Sequence, residues 1–275
     1  MTAAGWIDLE GAVNVRDVGG LPTIDGRTTR SGVLLRADNL QDLTDSDVAV
    51  LRERLRLQTV VDLRSTGEVH LAGEGPLKRL GLVHHHLSLI PEWDGEPDEA
   101  EVERALDAAV QDKALPALPA RPRQTDPTDL GDHYTGYVRD AGANIGKALR
   151  VLADADGGAV LVHCAAGKDR TGVVVALALS LAGVTREAVV ADYVRSAERI
   201  EQIHRRLLAT DAYGPGLAGV EPADMTPKAS SMERFLDVVD RDYGGPHGMA
   251  MSVGVPEEAV ARLGVRLVGT SPRAR

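Results

Sequence analysis

One cysteine, Cys164, stands in 275 residues, so no internal disulfide can form and no zinc site can be built from several thiolates. That thiol has either a packing role or a chemical one. Long apolar runs are missing as well. The nearest candidate, Val173 to Val184, falls short of the roughly 18 residues that span a bilayer and fits a buried helix. Positive charge is scarce: 31 Lys and Arg against 41 Asp and Glu give a formal charge of −10. This implies no broad basic face and argues against a nucleic-acid partner. An acidic surface does not attract phosphate either, so any phosphate site has to be built locally from backbone amides and a few placed cations. The opening MTAAGWIDLEG has neither a basic n-region nor an apolar h-region. A cytoplasmic location is therefore expected, with signal-less export as the alternative. There is no internal repeat and no heptad array.

A 43% hydrophobic content over this length supplies a substantial core, and a single folded unit is expected. Val33–Leu35, Thr59–Leu63 and Val83–Leu89 read as strands, and Thr44–Leu55, opened by the capping pair Thr44 and Asp47, as a helix. From Pro91 to Asp132 the chain turns acidic and proline-dotted. A helix fits Asp98–Gln111, and the stretch PALPARPRQTDPTD cannot continue it. Helical spacing returns over His133–Ala153, Gly157-Gly158 breaks it, and Ala159–Val162 reads as a buried strand. Helices are expected over Thr171–Ala182, Arg186–Arg195, Ala197–Leu208, Lys228–Tyr243 and Glu257–Leu263, with Tyr213–Pro227 as a break. Strands alternating with helices, then helices alone, specify an α/β core with a helical flank.

Chemistry concentrates in AVLVHCAAGKDRTGV, residues 159 to 173. A cysteine ends a buried strand, and an arginine follows six positions later where a helix begins. A short loop between strand and helix can point successive N–H groups inward, and the helix N-terminus adds its positive dipole end. The same field favours a thiolate at its centre, which makes Cys164 a candidate nucleophile. Arg170 supplies a planar fork that matches two phosphate oxygens. Gly167 suits a loop position of unusual backbone conformation, and Gly172 close packing of the helix. Thr171 is placed to donate its hydroxyl to the departing thiolate, and His163 to orient the loop from beneath.

The run His163-Cys164-Ala165-Ala166-Gly167-Lys168-Asp169-Arg170-Thr171-Gly172 resembles the signature His-Cys-x5-Arg-Ser/Thr-Gly of the protein tyrosine and dual-specificity phosphatases. Its Lys-Asp pair is similar to that of a branch with mycobacterial, other bacterial and fungal members. Asn14-Val15-Arg16-Asp17, Leu34-Leu35-Arg36-Ala37, Asp62-Leu63-Arg64-Ser65 and Val190-Ala191-Asp192-Tyr193-Val194-Arg195-Ser196 resemble further motifs of that branch, in order. The resemblance implies a phosphatase-type, mostly parallel sheet flanked by helices, in one domain over 1–275, with a helical lid insertion around 91–132 and a helical part over 185–275. It implies hydrolysis of phosphotyrosine, and in some members of phosphoserine, phosphothreonine or phosphoinositides, through Cys164 and Arg170 and without metal or organic cofactor. Substrate contacts are then expected from Ala165, Ala166, Gly167, Lys168, His163 and Arg64, with Lys168 placed to engage a second acidic group. The partner is a phosphorylated protein or phosphoinositide, and membrane contact arises only through a lipid substrate. No Trp-Pro-Asp tripeptide offers the general acid. Asp169, fixed within the loop, is preferred to Asp94, because geometry comes before pKa in choosing a proton donor.

Blander readings stand beside these. A lone cysteine after an apolar run is ordinarily a packed small hydrophobe; the complete ten-residue run reverses that. Arg16 and Asp17 either pair with each other or brace the core. Arg64 ends a strand where α/β sheets collect ligands, and its partner is substrate or Asp169. In His84-His85-His86 alternation lets at most His84 and His86 converge, which weighs against a metal. Competing functions are a phosphoinositide-preferring lipid phosphatase, a rhodanese-like sulfurtransferase, and a silent phosphate-binding module; retention of both Cys164 and Arg170 disfavours the last.

Overall fold

The computed structural model describes residues 5–90 and 130–270. Among them, β1 (Arg16–Asp17), β2 (Leu34–Ala37), β3 (Leu57–Asp62), β4 (Val83–His86) and β5 (Ala159–His163) form one sheet in the order β1-β2-β5-β3-β4. Only the β1–β2 pairing is antiparallel. The α/β reading is thus correct. β5 lies in the middle, and its Ala-Val-Leu-Val-His run is buried throughout, as a strand covered on both faces demands. Alternation sorts the side chains of the sheet. Leu34, Val61, Val160 and Val162 enter the larger core, and Leu35, Ala37, Val60 and Leu161 the smaller one on the other face.

The helices are α1 (Asp45–Ala49), α2 (Thr66–Ala72), α3 (Leu130–Asp154), α4 (Asp169–Leu181), α5 (Arg186–Val194), α6 (Ile200–Leu208), α7 (Gly214–Leu217), α8 (Ala229–Tyr243), α9 (Pro246–Ser252) and α10 (Glu257–Val268). α4 is apolar all round, with Val173 to Leu179 buried, which fits a helix enclosed between the sheet and α3, α5 and α10. No helix among the described residues is long and apolar enough to cross a membrane.

Several boundaries differ from expectation. The Thr44–Leu55 helix keeps its capping box but changes winding after Ala49, where Leu55 N–H bonds Val50 O and Val50–Arg54 is π-helical. α6 begins at Ile200, because Arg195–Arg199 winds as a tighter 3-10 turn. α2, α9 and the two-residue β1 were not expected. α2 carries its own signal in Ser65-x-x-Glu68, whose hydroxyl and carboxylate cap each other's backbone N–H. α7 and a 3-10 turn at Pro222–Met225 interrupt the expected break. The helix Asp98–Gln111 and nearly all of the expected lid lie outside the described residues.

Register decides where the site falls. Ala37 and Asp62 both pair with His163, so β2, β5 and β3 end at one level. The chain leaving β5 therefore emerges between Asp38-Asn39 and Leu63-Arg64, at the carboxyl edge where parallel sheets gather ligands.

Candidate active site

Residues 164–168 join β5 to α4 as a loop whose outer side is fully tethered. Asn39 N–H donates to Ala165 O at 3.0 Å, Asn14 Nδ2 to Ala166 O at 2.8 Å, and Arg36 Nη2 to Gly167 O at 2.9 Å. In a trans peptide the carbonyl and the following N–H point opposite ways. Holding these three carbonyls outward therefore turns the N–H groups of Ala166, Gly167 and Lys168 to the concave side. Gly167 makes the turn possible: its φ is +65°, and a Cβ there would lie 2.3 Å from Ala37 O. α4 begins at Asp169 with no side chain capping it, which leaves its first amides facing the same concavity.

Cys164 and Arg170 share this concavity. Arg170 is clamped by Glu68, its Nη1 at 2.5 Å from Oε2 and its Nη2 at 2.7 Å from Oε1. Glu68 also takes the Ser65 N–H at 2.7 Å, so the residue that caps α2 fixes the guanidinium plane. Burial alone would disfavour the Arg170 cation, but the Glu68 carboxylate and the Cys164 sulfur outweigh it and raise its pKa further. Glu68 was missed from sequence. The Thr171 hydroxyl is buried and makes no hydrogen bond among the described residues; no bond to the cysteine sulfur is formed in this state.

Three sequence segments meet behind the loop. Asp192 receives Arg16 Nε at 2.9 Å and Arg36 Nη1 at 2.5 Å, all three side chains being buried. Arg16 Nη1 also donates to Asn14 Oδ1 at 2.7 Å, and Asn14 reaches Ser196 Oγ at 3.2 Å. Burial works against the charge on Asp192, but the two guanidiniums hold its carboxyl at about 2. Arg16 and Asp17 do not pair with each other. As neighbours on a strand they face opposite ways, and Asp17 accepts the Gly19 and Gly32 N–H groups instead.

Arg64 also differs from expectation. Its Nη2 lies 2.5 Å from Asp62 Oδ2, and Nη1 reaches Gly73 O at 3.2 Å, so its partner here is Asp62 and not Asp169. His163 lies beneath the loop, with Nδ1 3.4 Å from Cys164 O and Nε2 3.6 Å from Asp62 Oδ2. Burial pushes its imidazole down to about 4, so at neutral pH it positions without charge. His84 and His86 bond two separate carbonyls, those of Leu77 and Arg64.

At the rim, Asp169 Oδ1 accepts the Tyr134 hydroxyl at 2.5 Å, and Tyr193 lies 2.6 Å beyond it. Burial, then the Asp169 charge, raises the Tyr134 phenol well above its usual range, so it stays a donor. Asp94 lies outside the described residues. Lys168 is buried and donates to Met225 O at 2.5 Å, with Asp169 Oδ2 at 3.6 Å. Ala165 and Ala166 pack against Ile200, Ile203, Leu207 and Tyr213, while Cys164, 2% exposed, packs with the larger core. Among the described residues, 200–225 is the segment packed on the loop alanines.

Comparison with known proteins gives concordant results. A family model described as the tyrosine phosphatase family matches residues 7–269. The triple specificity protein phosphatase PtpB of Mycobacterium tuberculosis is 31% identical, over 95% of this chain and 99% of that protein. A putative tyrosine-protein phosphatase of Cupriavidus necator is 33% identical over 84% and 77% of the two chains. A tyrosine-protein phosphatase of Nostoc commune is 33% identical over 51% and 50%.

Proposed function

This chain belongs to the tyrosine phosphatase family, and on that premise we propose that it hydrolyses phosphotyrosine, phosphoserine or phosphothreonine, and phosphoinositide esters through a phosphocysteine on Cys164. The observation that carries the reading is the tethering of three loop carbonyls outward, which presents amides, the start of α4 and the Arg170 fork to one anion. Donors fixed in advance around the equatorial oxygens stabilise the transition state more than the ground state.

The Cys164 thiolate attacks phosphorus, so an S–P bond forms as the bond to the leaving oxygen breaks. Asp169, held at the rim by Tyr134, protonates that oxygen. Water then attacks phosphorus and gives a proton to Asp169, and the thiolate leaves with the Thr171 hydroxyl, unpaired until then, donating to it. Arg170 grips two non-bridging oxygens throughout, its plane set by Glu68. Cys164 is 2% exposed and the 200–225 segment packs on the neighbouring loop alanines, so movement of that segment is part of the proposed route of ester entry. The breadth of the proposed substrate range draws support from the triple specificity named for the mycobacterial relative.

The test is Cys164-dependent phosphate release from phosphotyrosine peptides, phosphoserine peptides and each phosphoinositide. Release from all three classes is expected. Release from phosphoinositides alone would make this a lipid phosphatase and overturn the proposed range.

A further inference from the structure

Two hydroxyls are buried without a partner among the described residues, those of Thr171 and Tyr213, and both lie at the loop. Thr171 has a role in the chemistry above; Tyr213 does not. Its ring sits in the apolar cluster that covers the loop, with Ala165, Ala166, Ile203 and Leu207, and the residue is 8% exposed. Phenylalanine would fill that space equally well and leave nothing unsatisfied. An unpaired buried donor costs roughly 1–3 kcal/mol, and buried tyrosine hydroxyls ordinarily find an acceptor.

The surroundings identify the missing acceptor. The charged groups acting on the Tyr213 phenol are Glu68, Arg64, Arg170 and Cys164, and of these Glu68, Arg170 and Cys164 form the site. Burial raises the phenol well above the usual tyrosine range and Glu68 raises it further, so the hydroxyl remains a neutral donor. Glu68 is engaged by Arg170 and Ser65, the loop carbonyls of residues 165 to 167 by Asn39, Asn14 and Arg36, and the Tyr213 hydroxyl bonds none of them. Apart from the Cys164 sulfur, which is consumed in the attack on phosphorus, the concave side holds donors, and a seated tetrahedral oxyanion supplies the acceptor that Tyr213 is without.

We propose that Tyr213 is a phosphate ligand, its hydroxyl donating to a non-bridging oxygen of the phosphoryl group seated in the loop. The proposal rests on reading that loop as a phosphatase cradle. It couples the cover to occupancy: segment 200–225 closes with one more hydrogen bond when phosphate or phosphocysteine is present than when the loop is empty.

Inorganic phosphate is the probe, with affinity measured by titration calorimetry on the full chain and on Tyr213→Phe. A hydrogen bond to a charged acceptor contributes enough that Tyr213→Phe should weaken phosphate about tenfold or more. In phosphate-free buffer the variant should melt at the same temperature as the wild type or higher, since an unsatisfied hydroxyl has been removed; a purely structural hydroxyl would lower melting on its loss and leave affinity alone, which would overturn the proposal. Phosphate affinity within twofold of wild type, or tighter binding by the variant, would overturn the proposal. Failure of the wild type both to bind phosphate and to show Cys164-dependent hydrolysis would remove the underlying phosphatase reading instead.

Discussion

Replacing Glu68 by glutamine keeps the shape of the side chain and removes its charge. In the native protein one buried carboxylate accepts three hydrogen bonds, two from Arg170 at 2.5 and 2.7 Å and one from Ser65 N–H at 2.7 Å. A glutamine offers one carbonyl oxygen, and its NH2 group then faces either the guanidinium or a peptide N–H, donor against donor. At least one charge-assisted bond of about 1.5–3 kcal/mol is lost, and a buried cation is left without its counter-charge, for which breaking a buried pair typically costs about 3–5 kcal/mol. Glu68→Gln should therefore destabilise the protein by about 3 kcal/mol or more and lower Tm by roughly 6–12 °C. The Arg170 fork, no longer held in plane, should drop kcat/KM on para-nitrophenyl phosphate by roughly 10²-fold, the usual consequence of displacing a positioning group by about 1 Å. The assays are calorimetric melting and steady-state kinetics on the same preparation. Unchanged Tm together with kcat/KM within twofold of wild type would refute the reasoning and place the hold on Arg170 elsewhere.

Asp192→Asn should lose about 3–5 kcal/mol in urea unfolding, because it strands Arg16 and Arg36 inside the protein; activity should fall with it, since Arg36 tethers Gly167 O. For pH, His163 has a folded-state value depressed from 6.5 to about 4, so between those values the unfolded chain binds the extra proton. Stability is full above about pH 6.5 and should fall by up to roughly 3 kcal/mol as pH drops towards 4. His163→Gln should flatten that slope, and an identical slope in both proteins would contradict the assignment. Asp169→Asn should collapse turnover of esters with poor leaving groups and spare good ones; the reverse pattern, with Asp94→Asn collapsing it and Asp169→Asn silent, would move the general acid to Asp94.

What was legible in the sequence was local. A strand, an anion loop and a helix in one fifteen-residue run give Cys164, Gly167 and Arg170 their places, since their geometry is set by neighbours in the chain. Partners far away in sequence were not legible: Arg170 and Glu68 are 102 residues apart, and Arg16 and Asp192 are 176 apart. Motifs containing Arg16, Arg36 and Asp192 could be recognised, but nothing in their spacing says that one carboxylate serves two arginines. Some signals were present and unused. Alternation along a strand, which argued against a histidine metal site, also forbids an Arg16–Asp17 pair. The Ser65-x-x-Glu68 capping box marks both α2 and the residue that clamps Arg170. Tyr134 and Tyr213 carry no local signal, because their importance lies in what packs beside them after folding.

The central claim is a transient bond between Cys164 and phosphorus. It is tested most directly by mixing the protein with para-nitrophenyl phosphate, quenching in acid during turnover, and locating added mass by peptide mass spectrometry. One phosphoryl group on the peptide containing Cys164, absent from Cys164→Ser, is expected. Full turnover by Cys164→Ser, or a phosphoryl group on any other residue of the wild type, would contradict the account.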